Sequence, residues 1–368
     1  MNRIILCFST IMVLMSGCTA VPQNIKTSNG STNVSITERS VTNVGNIKEA
    51  VSDSSKIYNN DYQQIKIKPG LDLDFSNVTD VETYSLSNVK WNDSNTQKVI
   101  DFFKDGDFYG ETKEIDSGVA IDGGWTQYSD GEHDITIDSS GYVAYNANRS
   151  SPNTIIVDSF KYGDERCDKK YELANGNYSF NEVDNYINGL LNDWKTIDES
   201  LSFVPAEIFV CKDEYDNYSY DIFYAKQANG IKFDYELSST FKDNSTYLYL
   251  NVQVDSFGDI CFWSNNNGIY TIKSIKKING PFVTLDEALK IIQEKFTPHT
   301  DFIISEIMLS YEMIYDKKDK IYKTTPCWKF NFNDNSDKDE YTHKVVQNVY
   351  IDIISGELFD RYNELACW

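Results

Sequence analysis

Two stretches place a lysine where it could deprotonate a nucleophilic serine: Ser87-Asn88-Val89-Lys90 and Ser274-Ile275-Lys276-Lys277. That S-x-x-K chemistry needs the serine at a helix start and a K-T-G strand beside it. Neither condition holds, and so loose a pattern arises by chance. There is no G-x-S-x-G turn. The run from Asn333 to Glu340 alternates oxygen-bearing side chains as a calcium loop would. Its sixth position is Lys338, where the loop needs glycine, and its twelfth is Lys344, where it needs a bidentate glutamate. A solvated hairpin loop is the reading that remains. His133, His299 and His343 are far apart and suggest no metal site. With 56 acidic residues, a pair of carboxylates is always at hand, so none can be singled out for glycosidic chemistry. No catalytic residue, cofactor or metal is therefore expected.

The remaining candidates are aromatic. On a strand expected from Thr246 to Asp255, the leucines and valines alternate to one face, which leaves Tyr247 and Tyr249 on the other with Asn251, Gln253 and Asp255. Tyr218, Tyr220 and Tyr224 make a similar row. Tyrosines on a polar face can stack on sugar rings or anchor a protein partner. Tyr218, Tyr220, Tyr247 and Tyr249 are the candidate binding surface. The competing reading is cross-strand pairs that only stabilise a sheet.

These segments need a location and a scaffold. Arg3 leads into an apolar run ending at Met15, too short to span a bilayer and of signal-peptide length. The run closes on Ser16-Gly17-Cys18, which resembles the bacterial lipobox, with Met15 where leucine is usual. The resemblance implies that residues 1–17 are a signal peptide and that Cys18 carries a diacylglyceryl group as the mature N-terminus. Two acyl chains anchor stably where one would not. The expected location is the extracytoplasmic face of a cell membrane. The formal net charge of −22 repels nucleic acid and anionic lipid, so the tether would hold the chain at the membrane and nucleic acid is not an expected partner. Cys167, Cys211, Cys261, Cys327 and Cys367 have no CxxC spacing. Cys211 and Cys261 could pair, but buried small hydrophobes are the reading for most of them.

The 25 tyrosines and 20 phenylalanines favour strands. Residues 18–60 read as a flexible spacer rich in Ser, Thr and Asn. Helical periodicity then appears over Asp93 to Lys104, from Asn181 as cap, and from Thr284, where Thr284 and Glu287 form a capping box. Each helix is followed by alternating segments and hairpin turns such as Asn229-Gly230 and Ser355-Gly356. The expectation is an α+β chain of tandem repeats, each burying one helix on its own antiparallel sheet, at 61–177, 178–280 and 281–368. The last copy resembles a PepSY-type module on three features: the Thr284-x-x-Glu287-Ala288 helix, Pro326-Cys327-Trp328, and the turn Asp352-Ile353-Ile354-Ser355-Gly356-Glu357. The whole chain resembles uncharacterised lipoproteins of gut Firmicutes. These readings point to a non-catalytic binding protein of the cell envelope with a protein or peptide partner. A glycan-binding surface lipoprotein and a hydrolase with an unrecognised site are the alternatives.

Overall fold

Helix periodicity places four helices in the computed structural model: α1 (Ile47–Ser52), α2 (Asp93–Lys104), α3 (Phe180–Trp194) and α4 (Leu285–Lys295). The described residues lie between 43 and 359. They leave out both ends, the stretches 105–112, 117–124, 148–153, 234–248, 296–302 and 334–346, and a few shorter gaps. Helix α2 has the expected bounds and buries Val99, Ile100 and Phe103. Helix α3 starts one residue before Asn181. Its cap is Ser179, whose hydroxyl accepts the Glu182 N–H at 3.3 Å while the Glu182 carboxylate accepts the Ser179 N–H at 2.8 Å. Two orphan helix donors are thereby satisfied. In α4 the Thr284 hydroxyl accepts the Glu287 N–H at 3.2 Å.

Most of the described chain is strand. Nine strands pair antiparallel in the order Ile155–Phe160, Ser202–Lys212, Tyr218–Ala228, Tyr249–Val254, Phe262–Asn266, Val143–Asn146, Asp134–Asp138, Trp125–Ser129 and Lys113–Asp116. The short strand Ile231–Phe233 folds back on Tyr218–Ala228 and pairs parallel with Ile303–Asp316. From there the sheet continues through Ile321–Asn333 and Gln347–Asp352 to Leu358–Phe359. Val81–Asn88 joins Ile321–Asn333 to Tyr270–Ile278.

This corrects the expected fold class. The chain is not a row of helix-on-sheet repeats. Strands from all three stretches enter one large mixed sheet, and α2 and α3 share a single core. In that core Phe102 and Phe103 of α2 meet Trp194 of α3 and Trp263 of the sheet, with ring centroids 4.9–6.1 Å apart. A helix-length apolar stripe shows that a face must be covered, not which strands cover it. Part of the stretch read as spacer is also folded: Ile47, Ala50 and Ile57 are buried, and Asn43–Val44 pairs with Phe282–Val283. The described residues belong to one compact unit, Thr42–Trp368.

The motifs of the C-terminal stretch have structural roles. The Trp328 indole N–H donates to the Val283 carbonyl at 3.0 Å, and the Pro326 carbonyl accepts the Ile353 N–H at 3.1 Å. The Asp352 carboxylate accepts the Ile354 N–H at 2.7 Å, and Gly356 closes the turn at φ 72°. No described helix is long and apolar enough to cross a membrane.

Candidate functional site

Alternation assigns the tyrosines to faces, and burial shows what each face meets. Tyr220 and Tyr224 lie beside Ile222 on the side covered by α3, and both are fully buried. The Tyr220 hydroxyl donates to the Tyr178 carbonyl at 3.1 Å, and the Tyr224 hydroxyl donates to the buried Asp184 carboxylate of α3 at 2.8 Å. Burial pushes the Asp184 carboxyl above its ordinary range, against the pull of the Tyr224 and Asn188 hydrogen bonds. Tyr218 is half-buried at the end of the same row, against Tyr171 and beneath the Lys212 ammonium. Tyr249 is half-buried on the opposite face, edge-on to Phe223 at 5.2 Å. Tyr247 lies outside the described residues, as does Cys18. Of the three described tyrosines, Tyr220 is buried and Tyr218 and Tyr249 are half-buried on opposite faces of the sheet. Tyr220 serves the core.

The other sequence candidates are also placed. Ser87 and Ser274 sit on strands that pair with each other, not at helix starts, and Lys277 forms an ion pair with Asp80 at 2.6 Å. Cys211 is a buried free thiol, so the bridge to Cys261 is not made, and burial pushes the thiol up to about 11. His133 is buried, with Nδ1 3.0 Å from Asp130. Among the described residues no group of three His, Cys, Asp or Glu is arranged to hold a metal.

The surface that stands out was not picked from sequence. Ile155–Phe160 forms the edge of the nine-strand run, and among the described residues only Ser202–Lys212 pairs with it. At its far end the Ser159 carbonyl already accepts from the Arg166 guanidinium at 2.8 Å, so an added strand would pair along the Ile155–Val157 end, where no second strand among the described residues lies. Asp158 pairs with Val210 and Ile156 with Cys211, so Val157 is an extra, bulged residue. A bulge normally guards an edge with a bend. Here it also turns apolar side chains outward: Ile155 is 65%, Ile156 62% and Val157 43% exposed. Tyr215, 73% exposed, stands at the tip of the turn that follows Lys212, the partner of Ile155. The Asp213 carboxylate holds that turn by accepting the Tyr215 N–H at 2.8 Å and the Asn217 N–H at 2.9 Å.

A polar clamp fixes the far end of the edge. Asp158 accepts from the Tyr171 hydroxyl at 2.5 Å and pairs with Arg166 at 3.1 Å and Lys169 at 3.4 Å. The Tyr171 hydrogen bond leads in holding its carboxyl below the usual range, so it stays ionised at neutral pH. The arrangement is an apolar strand edge, paired on one side among the described residues, with one charged end.

A solved structure shares this fold. An uncharacterised protein of Eubacterium rectale superposes with a TM-score of 0.55 at 14% identity, over 77% of this chain and 86% of that one. The YpeB C-terminal domain of Bacillus megaterium aligns with a TM-score of 0.35 at 13% identity, over 74% of this chain and 98% of that domain. No protein-family model matches the chain, and no curated protein matches it in sequence. At these identities the first likeness establishes the architecture alone.

The sequence did hold a signal for the edge. Ile155-Ile156-Val157 is a short apolar run between Ser151-Pro152-Asn153 and Asp158. Periodicity alone reads such a run as a buried strand.

Proposed function

We propose that the chain is a lipid-anchored protein of the extracytoplasmic membrane face, and that it binds a protein partner without catalysing a reaction on it. The lipobox-like Ser16-Gly17-Cys18 supports the anchor. The observation that carries the binding role is the exposed edge Ile155-Ile156-Val157 on a strand paired on one side only. An extended peptide segment adds to that edge as a further strand. Its backbone supplies hydrogen bonds, and its side chains cover the isoleucines. Covering one such side chain fully is worth roughly 1.5–3 kcal/mol. The patch is contiguous and apolar, which favours a protein partner over a glycan.

Two measurements test this reading. Growth with a radioactive fatty acid labels the wild-type chain and leaves Cys18→Ala unlabelled; an unlabelled wild-type chain removes the anchor. For the edge, partner capture from detergent-solubilised membranes is compared between wild type and Ile156→Lys. The lysine lies on an exposed site, so the melting temperature should not change. Captured partner should fall by about tenfold, the equivalent of roughly 1.4 kcal/mol. Equal capture by the two proteins would remove the edge from the binding role.

A further inference from the structure

A second strand edge differs from the first in its charge. Tyr270–Ile278 pairs antiparallel with Val81–Asn88, and among the described residues no other strand lies beside it. A sheet strand ordinarily packs one face and alternates in burial. Here every residue at 273–277 is exposed, so both faces are bare as well as the edge. Lys273 is the extra residue of a β-bulge between Ile272 and Ser274. The run Lys273-Ser274-Ile275-Lys276-Lys277 carries three lysines and no acid, in a chain where acids outnumber bases 56 to 34. Lys277 pairs with Asp80 at 2.6 Å. Lys273 and Lys276 make no ion pair among the described residues. Ile275, 53% exposed, stands between them.

This strand ends beside the point where the chain enters the fold. Asn43 and Val44, the first described residues, pair with Val283 and Phe282. Only Asn279, Gly280 and Pro281 separate Ile278 from that pair, and a Cβ on Gly280 would stand 3.0 Å from the Gly45 carbonyl oxygen. Cys18 lies upstream of Asn43, so a lipid on it would tether the folded unit by this corner. A tether makes a second contact with the same surface intramolecular, which lets weak charge attraction count.

We propose that the edge at 273–277 docks on anionic phospholipid headgroups, with Lys273 and Lys276 against the phosphates and Ile275 in the interface between them. The docking rests on the lipid anchor of Cys18. A strand lying edge-on lets lysines of both faces reach the headgroup layer on their flexible stems. The net negative charge of the chain opposes approach, but salt screens charges more than about 10 Å apart, and at contact the local lysines decide. Lysines on an edge deter an added strand, so a lipid surface fits this edge better than a peptide does. The docking edge is separate from Ile155-Ile156-Val157.

Quenching of a fluorescent amino acid at position 275 tests the proposal, with position 156 as the control. The full chain, purified from membranes, is reconstituted into vesicles of phosphatidylcholine alone or of equimolar phosphatidylcholine and phosphatidylglycerol, each carrying a headgroup-labelled quencher lipid. At low salt, quenching at position 275 should be about threefold stronger in the anionic vesicles. Salt at about 1 M, where screening acts within roughly 3 Å, should abolish the difference. So should Lys273→Gln/Lys276→Gln, while the chain still floats with the vesicles. A chain that does not float with either vesicle removes the anchor and the docking with it. A chain that floats but is quenched equally in neutral and anionic vesicles, or equally at positions 156 and 275, keeps the anchor and overturns the docking. Undiminished quenching in the double lysine variant would also overturn it. A discrete protein adduct from a cross-linker at position 275 in cells would assign the edge to a protein instead.

Discussion

Replacing Lys226 with methionine should destabilise the chain by about 3–5 kcal/mol, and adding Asp198→Leu should recover most of that loss. Lys226 Nζ lies 2.7 Å from Asp198 Oδ2, with the two side chains 1% and 0% exposed. The ammonium also sits 5.3 Å from the Tyr270 ring centroid and 5.7 Å from that of Phe203. Desolvation makes such a pair a weak stabiliser, yet removing one member takes from the buried charge that remains its 2.7 Å ion-pair partner. The pair also has a position to hold. Asp198 follows α3, where its N–H donates to the Trp194 carbonyl at 3.0 Å, and Lys226 is near the end of the strand that leads to the second half of the sheet. Urea denaturation of wild type, both single variants and the double variant gives the coupling. Losses that simply add would show that the two charges do not act as a pair.

The second large effect is expected at Gly230. Asn229 and Gly230 have φ 52° and 80°, the two positive values of a tight hairpin turn. A Cβ on Gly230 would stand 2.2 Å from the Asn77 carbonyl oxygen, which is backbone and cannot swing away. The left-handed conformation costs an alanine roughly 1–2 kcal/mol, and overpacking adds about 1–3 kcal/mol. Gly131 is the natural comparison. Its φ is 97°, but a Cβ there meets nothing within 4 Å, so Gly131→Ala carries the conformational cost alone. Thermal melts should therefore rank Gly230→Ala well below Gly131→Ala, and equal melting temperatures would mean that the contact with Asn77 yields freely. The position matters because this turn joins Tyr218–Ala228 to Ile231–Phe233, the strand that links the two halves of the sheet. The Asn229 carbonyl accepts the Thr79 N–H at 3.2 Å, and the Asn229 amide donates to Glu82 at 2.9 Å.

Local structure was largely legible in the sequence. The span of α2, the Thr284 cap and the Asn229-Gly230 and Ser355-Gly356 turns all follow from short-range periodicity and turn chemistry. The sheet did not follow, because its decisive pairings are distant. Lys232 lies beside Ser310, Trp263 beside Tyr145, and Tyr84 beside Ile275. No pattern within one segment encodes those partners, so recurring helix-then-strand order suggested separate domains where one sheet runs through.

The surroundings of the tyrosine row were hidden for a related reason. Alternation correctly groups Tyr218, Tyr220 and Tyr224 on one face, but a tyrosine row looks the same whether water or a helix lies over it. Here α3 covers it, and Asp184 and the Tyr178 carbonyl meet the hydroxyls that made the row look functional. In contrast, Ile155-Ile156-Val157 has the apolar composition of a core strand and is exposed. Which face is wet depends on tertiary packing, which hydropathy alone does not report.

The central claim is that this edge holds a partner at the membrane. The most direct measurement places a photo-activated cross-linking residue at position 156 in cells making the full chain, with a control at position 275. Ile275 is also exposed, at 53%, but sits on a different strand. A discrete adduct with an envelope protein at position 156, absent at position 275, is the predicted result. The same products at both positions, or no adduct at position 156, would contradict the account.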